Sequence, residues 1–293
     1  MLALPPTDLL GWIRANKEAF APPICNKLLH RGQRLSIMLV GGPNQRKDFH
    51  SEEGSEFFYQ LEGNAEIVTL QAGRQVSVPL GPGELFLLPS RVPHSPQRSA
   101  GSMGLVIERN RLPGELDSLT WYADSNGTIE FQRYFECRDL GKDLVPIVSE
   151  YREFLVRGSQ GHGGNGVSIQ QPLHVPSTNA VPMPVNLPPI GHGRSQRVFG
   201  NVHPDKEFLI TLELHGEQTL SCPDWEDSEE AFLYQLEGSA VLRLGGAQVV
   251  LNQGECCVVV ISRRQPVHIS RPGSSNRGLV VMLENITGNK CKL

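Results

Sequence analysis

The sequence predicts an all-β protein made of two related domains with short peripheral helices, and three observations carry that prediction. Between Arg34 and Glu108 the chain runs through short apolar segments, LSIMLVGG, FFYQLEG, AEIVTLQ, RQVSVPL, ELFLLP and MGLVIE, parted by turns such as Glu62-Gly63-Asn64 and Gly81-Pro82-Gly83. Many short strands at such spacing close into a sandwich or a barrel. Next, the first half repeats. FFYQLEG at Phe57–Gly63 returns as FLYQLEG at Phe232–Gly238, 175 residues on. Gly83-Glu84 returns as Gly254-Glu255 after 171 residues, and Gly104-Leu105-Val106 as Gly278-Leu279-Val280 after 174. Three blocks in one order at nearly constant offset mark an internal duplication. Finally, the stretch from Arg157 to Arg197 is rich in Pro and Gly and poor in core-forming periodicity, which is the character of a linker. The expected bounds are 1–156 for an N-terminal domain, 157–197 for the linker and 198–293 for a C-terminal domain.

Taken in order, Thr7 or Asp8 caps a short helix running to about Phe20, with Leu9, Trp12 and Ile13 on one side and Pro22-Pro23 as its stop. The strands follow from Arg34. Residues 112–156 are less uniform, with a strand at Ile129 to Phe135 and a helical patch from Leu144 to Leu155. His162, His174 and His192 lie in the linker at irregular spacing without nearby thiols or carboxylates, which suits solvated loop histidines better than a metal tract.

Composition excludes several classes of function. A net charge of -4 and a pI near 6.2 give no basic field for nucleic acid. No run of about 18 apolar residues offers a membrane span. The start, MLALPPTDLLGWIR, lacks the basic region and apolar core of a secretory signal. The six cysteines form no C-x-x-C pair, which suits reduced thiols and a cytosolic location.

The chemistry gathers at two places. His50 and Glu56 frame a loop that runs into the FFYQLEG strand, and His94 ends the Pro-rich turn after ELFLLP. Two imidazoles and one carboxylate at strand edges can hold one metal ion and leave part of its coordination sphere open. Arg46 and Arg98 stand four residues from His50 and His94, respectively, and even spacing on strands puts them on the ligand face. The repeat loses this set. Sliding by 175 residues puts Trp225 at the place of His50, Ala231 at that of Glu56 and Ser221 at that of Arg46. Counting from Gly254 puts Gln265 opposite His94, with His268 three residues late as an ordinary surface or core histidine. The C-terminal copy is therefore expected to be structural.

The segments His50-Ser51-Glu52-Glu53-Gly54-Ser55-Glu56 and Gly83-x5-Pro89-x-Arg91-x2-His94 resemble the two cupin motifs, which implies a double-stranded β-helix, or jelly roll, with a metal in its mouth. The second histidine of the common first motif is replaced by Glu52, which leaves His50, Glu56 and His94 as a 2-His-1-carboxylate set of the kind that favours non-haem Fe(II). Glu52 stands as an alternative ligand. The runs NQRKDFHSEEGSEFFYQLEG, FLLPSRVPHSPQR and GLVIE are similar to the 3-hydroxyanthranilate 3,4-dioxygenase family in its animal-type two-cupin form, most strongly over residues 22–110. That resemblance implies a cytosolic enzyme of tryptophan catabolism, on the kynurenine route towards quinolinate and NAD. It would use Fe(2+) and O2 to open the ring of 3-hydroxyanthranilate to 2-amino-3-carboxymuconate semialdehyde. It also implies that Arg98 holds the substrate carboxylate, Arg46 sits near the carboxylate and oxygen, and Glu108 meets the amino or hydroxyl group and accepts its proton. The expected partners are the small aromatic substrate and O2, with no nucleic acid or membrane. A monomer is the expected state, by analogy with single-cupin proteins that dimerise. The rival expectations are a non-catalytic two-cupin storage or ligand-binding protein and a cupin metalloenzyme of another reaction.

Overall fold

The aromatic run of FFYQLEG becomes the strand Glu56–Glu62, and burial on both faces puts it inside a sheet, with Phe57 at 0% and Phe58 at 2% exposure. The computed structural model describes residues 1–20, 25–159, 180–187, 195–199, 203, 206–222 and 227–284. Most of the linker, with His162, His174 and His192, lies outside them, as do Pro22, Pro23 and Trp225. The chain divides into two compact units. One comprises Glu18–Leu29 and Ile37–Pro184, the other Met1–Lys17, His30–Ser36 and Val185–Leu293.

Built mainly from the first unit, one sheet runs in the order Glu84–Leu88, Glu56–Glu62, Met103–Arg109, Leu35–Gly41, Asn26–Arg31. The other runs Ile129–Phe135, Asp117–Tyr122, Asp48–Ser51, His94–Arg98, Ala65–Gln71, Arg74–Leu80. Every pairing with a recorded register in these two sheets is antiparallel, as hairpin-linked short strands require. Met38, Phe58, Ile67, Phe86 and Val106 are among the residues that form its core. A 20-residue helix, Leu140–Ser159, lays Leu144, Ile147, Val148, Tyr151 and Phe154 on Trp121 and Phe131. Tyr151 stacks on Trp121 with ring centroids 4.2 Å apart. The helix is longer than the patch legible in the sequence, and the strand Asp117–Tyr122 was not foreseen.

The second unit repeats the plan, with one sheet centred on Glu255–Ser262, Ser228–Glu237 and Arg277–Leu283 and another on Val267–Arg271 and Ser239–Leu244. Here the N-terminus departs from expectation. Leu2–Asp8 is a strand that pairs with Glu255–Ser262 at the sheet edge, and the helix is only Leu9–Ala15, followed by a tight turn at Lys17–Phe20. Pro5 and Pro6 lie where the pairing with the neighbouring strand shifts register, which an edge tolerates. Thus residues 1–17 group with the C-terminal half and not, as the sequence suggested, with residues up to 156.

A buried carboxylate pins the His30–Ser36 segment into this unit. Glu230 accepts backbone N–H groups from Gln33, Arg34 and Leu35 at 3.2, 2.9 and 3.0 Å, with His30 Nε2 at 3.8 Å. A Cβ at Gly32 would meet its Oε1 at 2.0 Å, so the close approach needs glycine there. Burial raises the Glu230 pKa, but the imidazole and the three N–H donors outweigh it and bring it down to about 2. A depressed carboxylate stabilises the fold above its unfolded pKa of about 4.5 and loses that contribution as pH falls through about 2. Glu230→Gln is therefore expected to cost about 2–3 kcal/mol at pH 7, the gap to the parent chain shrinking between pH 4.5 and 2, as measured by urea unfolding across that range.

Candidate metal centre

Two strand registers assemble the site. His50 pairs directly with His94 in one sheet of the first unit, and Glu56 pairs directly with Glu108 in the other. Directly paired residues project from the same face of a sheet. The imidazole pair and the carboxylate pair therefore meet at the mouth of the barrel. The ligand atoms of His50, Glu56 and His94 all lie within 4.8 Å of one another, and all three residues are buried. His94 Nε2 is 3.0 Å and His50 Nδ1 3.9 Å from Glu56 Oε1, yet that oxygen has no hydrogen bond of normal geometry among the described residues. Three donors aimed at a common point, with a buried orphan oxygen among them, suit a metal ion better than they suit each other.

Each imidazole has its other nitrogen occupied. His94 Nδ1 donates to the Val92 carbonyl at 3.0 Å, and His50 Nε2 donates to Asp117 Oδ2 at 2.7 Å. Such outer contacts set which nitrogen is free to ligate. Glu52, the alternative ligand, turns away and pairs with Arg111, so it is not in the converging set.

The charge balance points the same way. Glu52, Glu56, Glu108 and Asp117 are buried carboxylates around one guanidinium, Arg111, which pairs with Glu52, Glu108 and Asp117. Burial pushes Glu52 well up and Glu108 up, with Arg111 countering in both. Burial also works to raise Glu56 and Asp117, but the histidines and Arg111 hold both below the usual range. A divalent cation would offset the surplus of negative charge, so the residues present fit the metal that the donor set implies.

Beside the donors a pocket opens, lined by Arg46, Arg98 and Glu108 and walled by apolar side chains including Phe58, Val106, Leu140 and Leu144. Arg98 is 5% exposed and donates to Gln60 Oε1 at 3.5 Å, and no carboxylate pairs with it among the described residues. Burial and the nearby Arg46 bring its pKa down to about 10, so it remains a cation at neutral pH. Arg46 is held differently: its Nε donates to Asp48 Oδ2 at 3.0 Å, and its backbone N–H donates to Gln97 Oε1 at 2.9 Å. The structure thus brings together His50, Glu56, His94, Arg46, Arg98 and Glu108, the six residues singled out in the sequence.

Arg111, Asp117 and the two helix leucines escaped sequence reasoning. Asp117 was hidden because DSLTWY follows a Pro-Gly turn and reads as a strand only when its alternation is pursued past that turn.

Among its described residues the second unit has lost the donors. Ala231 pairs with Met282 and Val259 as Glu56 pairs with Glu108 and Leu88. The counterpart of His94 needs correction. Thr69 pairs with His94 and Leu244 with Val267, and Thr69 and Leu244 each stand six residues after the repeated glycine, Gly63 or Gly238. Val267, buried at 1%, therefore occupies the position assigned to Gln265. The strand Glu255–Ser262 has eight residues where Glu84–Leu88 has five, which displaces the count from the glycine. His268 is a surface residue whose Nδ1 lies 3.0 Å from Thr219 Oγ1. Arg98 keeps an unforeseen counterpart in Arg271, 1% exposed, whose Nε donates to Gln235 Oε1 at 3.3 Å much as Arg98 meets Gln60.

Fold and site together define a two-domain cupin in which, among the described residues, one barrel carries a 2-His-1-carboxylate donor set. The chain belongs to the 3-hydroxyanthranilic acid dioxygenase family, whose model matches residues 1–152. A 3-hydroxyanthranilate 3,4-dioxygenase of Nematostella vectensis is 44% identical over 279 residues, covering 95% of this chain and 99% of that protein. One from Rattus norvegicus is 39% identical over 257 residues, covering 85% and 87%. Among solved structures, a Bacillus subtilis oxalate decarboxylase variant superposes with a TM-score of 0.50 over 86% of this chain and 69% of that one. At 14% identity it speaks for the fold alone.

Proposed function

We propose that this chain opens the aromatic ring of 3-hydroxyanthranilate with O2, giving 2-amino-3-carboxymuconate semialdehyde, at an Fe(II) held by His50, Glu56 and His94. The observation that carries the reading is the convergence of those three donors beside a buried Arg98 that no described carboxylate neutralises. Family membership supplies the substrate and the reaction.

Iron, when bound, supplies the electron transfer to dioxygen that a spin-paired ring cannot make quickly. The side chains do the rest. Arg98, already desolvated, receives the substrate carboxylate through its planar fork, so the acid replaces a missing partner and not a solvent shell. Arg46, braced on Asp48, adds positive charge on the same side. Glu108, whose pKa burial pushes up, is the better base for it and takes the proton released from the ring hydroxyl or amino group. Phe58, Val106 and Leu144 flank the ring and keep water from the reacting carbons. A bare apolar slot would not orient the ring; the arginine at one end and the donors at the other do.

The test is oxygen uptake after anaerobic Fe(II) loading. Consumption of O2 on adding 3-hydroxyanthranilate supports the proposal, and its absence in a folded, iron-loaded chain rejects it. Binding of the acid without uptake would favour the storage or ligand-binding alternative. No helix among the described residues is long and apolar enough to cross a membrane. We read the chain as a cytosolic monomer, to be checked by sedimentation velocity and by fractionation.

A further inference from the structure

A histidine that must offer one particular nitrogen to a metal needs something to stop its ring from turning over. For His94 that partner is a backbone carbonyl, fixed by the fold. For His50 it is a side chain, Asp117, and that carboxylate is itself 0% exposed. A buried carboxylate stays ionised only if cations or hydrogen-bond donors meet it. Arg111 does so with both oxygens: Nε donates to Oδ1 at 3.0 Å and Nη2 to Oδ2 at 2.8 Å. The same guanidinium reaches Glu108 through Nη1 and Glu52 through Nη2. Its donors are spread over three acids in a planar arrangement that an ammonium cannot copy. The backbone fixes the other end of the chain of contacts. Asp117–Tyr122 pairs with Asp48–Ser51 in the register Ser118 to Ser51 and Leu119 to His50, so ligand and carboxylate ride on adjacent strands of one sheet.

We propose that Arg111 and Asp117 are positioning residues for the metal centre, the guanidinium fixing Asp117 and Asp117 fixing the His50 ring with Nδ1 turned towards Glu56. This rests on the reading of His50 as a ligand. Because Arg111 also grips Glu108, one side chain sets both the ligand geometry and the place of the acid that faces the substrate. No function for either residue follows from the motif that singled out His50 and Glu56, since both lie in the loop and strand beyond it.

The experiment compares Asp117→Asn, Arg111→Lys, their double variant and His50→Ala in the full chain. Fe(II) affinity is measured anaerobically by competition with a chelator, and ligand geometry by the visible absorption of the Co(II)-loaded protein, with circular dichroism as the check on folding. Each single positioning variant is expected to weaken metal binding by about 10–100-fold and to change the Co(II) spectrum. The double variant should bind no more than about 2-fold more weakly than the worse single, because both act through one contact. Multiplicative losses, or parent-like affinity and spectrum in both singles while His50→Ala loses the metal, would overturn the proposal. If His50→Ala retained metal at parent affinity, the ligand reading itself would fail. Should one single variant not fold, the other decides. Failure of both to fold would assign the pair to the stability of the barrel and reject a positioning role.

Discussion

Glu56→Ala is expected to abolish iron retention and, with it, ring cleavage. Glu56 supplies the only carboxylate among the three converging donors, and its Oε1 is a buried atom without a hydrogen bond among the described residues. Loss of a ligand should exceed the roughly 10–100-fold that changes beyond the ligand shell cost. The fold should survive, because the substitution removes one of four clustered buried carboxylates, of which Arg111 pairs only with the other three, and so lowers the repulsion among them. Elemental analysis of the anaerobically loaded and desalted variant, beside its circular dichroism, checks this. Equal iron content in the variant and the parent would remove Glu56 from the ligand set.

Arg98→Ala is expected to raise KM far more than it lowers kcat. A charged hydrogen-bond partner is worth about 1.5–3 kcal/mol, which corresponds to roughly 10–150-fold in affinity for the acid. Arg46 cannot take over, since Asp48 holds its guanidinium. The clean control is 2-aminophenol, which keeps the hydroxyl and amino groups and lacks the carboxylate: parent and variant should handle it alike. Oxygen uptake against substrate concentration, for both compounds, reads the split. An unchanged KM for 3-hydroxyanthranilate in the variant would mean that its carboxylate docks elsewhere.

Much of this site was legible because its parts are local in sequence. His50 and Glu56 share one loop and His94 ends one turn; strand alternation carries Arg98 to the ligand face, whereas Arg46 reaches the pocket from the irregular segment just before the strand Asp48–Ser51. The duplication was legible too, since FFYQLEG and FLYQLEG keep both pattern and order. What stayed hidden depends on register and on long-range pairing. The partnership of Asp117 with His50 joins residues 67 apart and exists only once their strands pair. The N-terminal strand was missed because Pro5-Pro6 argues against strand structure unless an edge is known to be available. The count from Gly254 lands on Gln265 and not on Val267 because it ignores a longer strand. Arg271 shows the converse: the arginine-glutamine contact of the working barrel survives in the other, although Ala231 and Val267 have replaced two of the donors.

The most direct test of the account is a stoichiometric one. An anaerobic chain is loaded with Fe(II), freed of excess metal and mixed with 3-hydroxyanthranilate in an oxygen electrode. The expected result is one bound iron per chain, none in the His50→Ala, Glu56→Ala or His94→Ala variants, and one O2 consumed per substrate opened. An iron-loaded, folded chain that binds the acid and consumes no oxygen would contradict it, as would full metal content in any of the three variants.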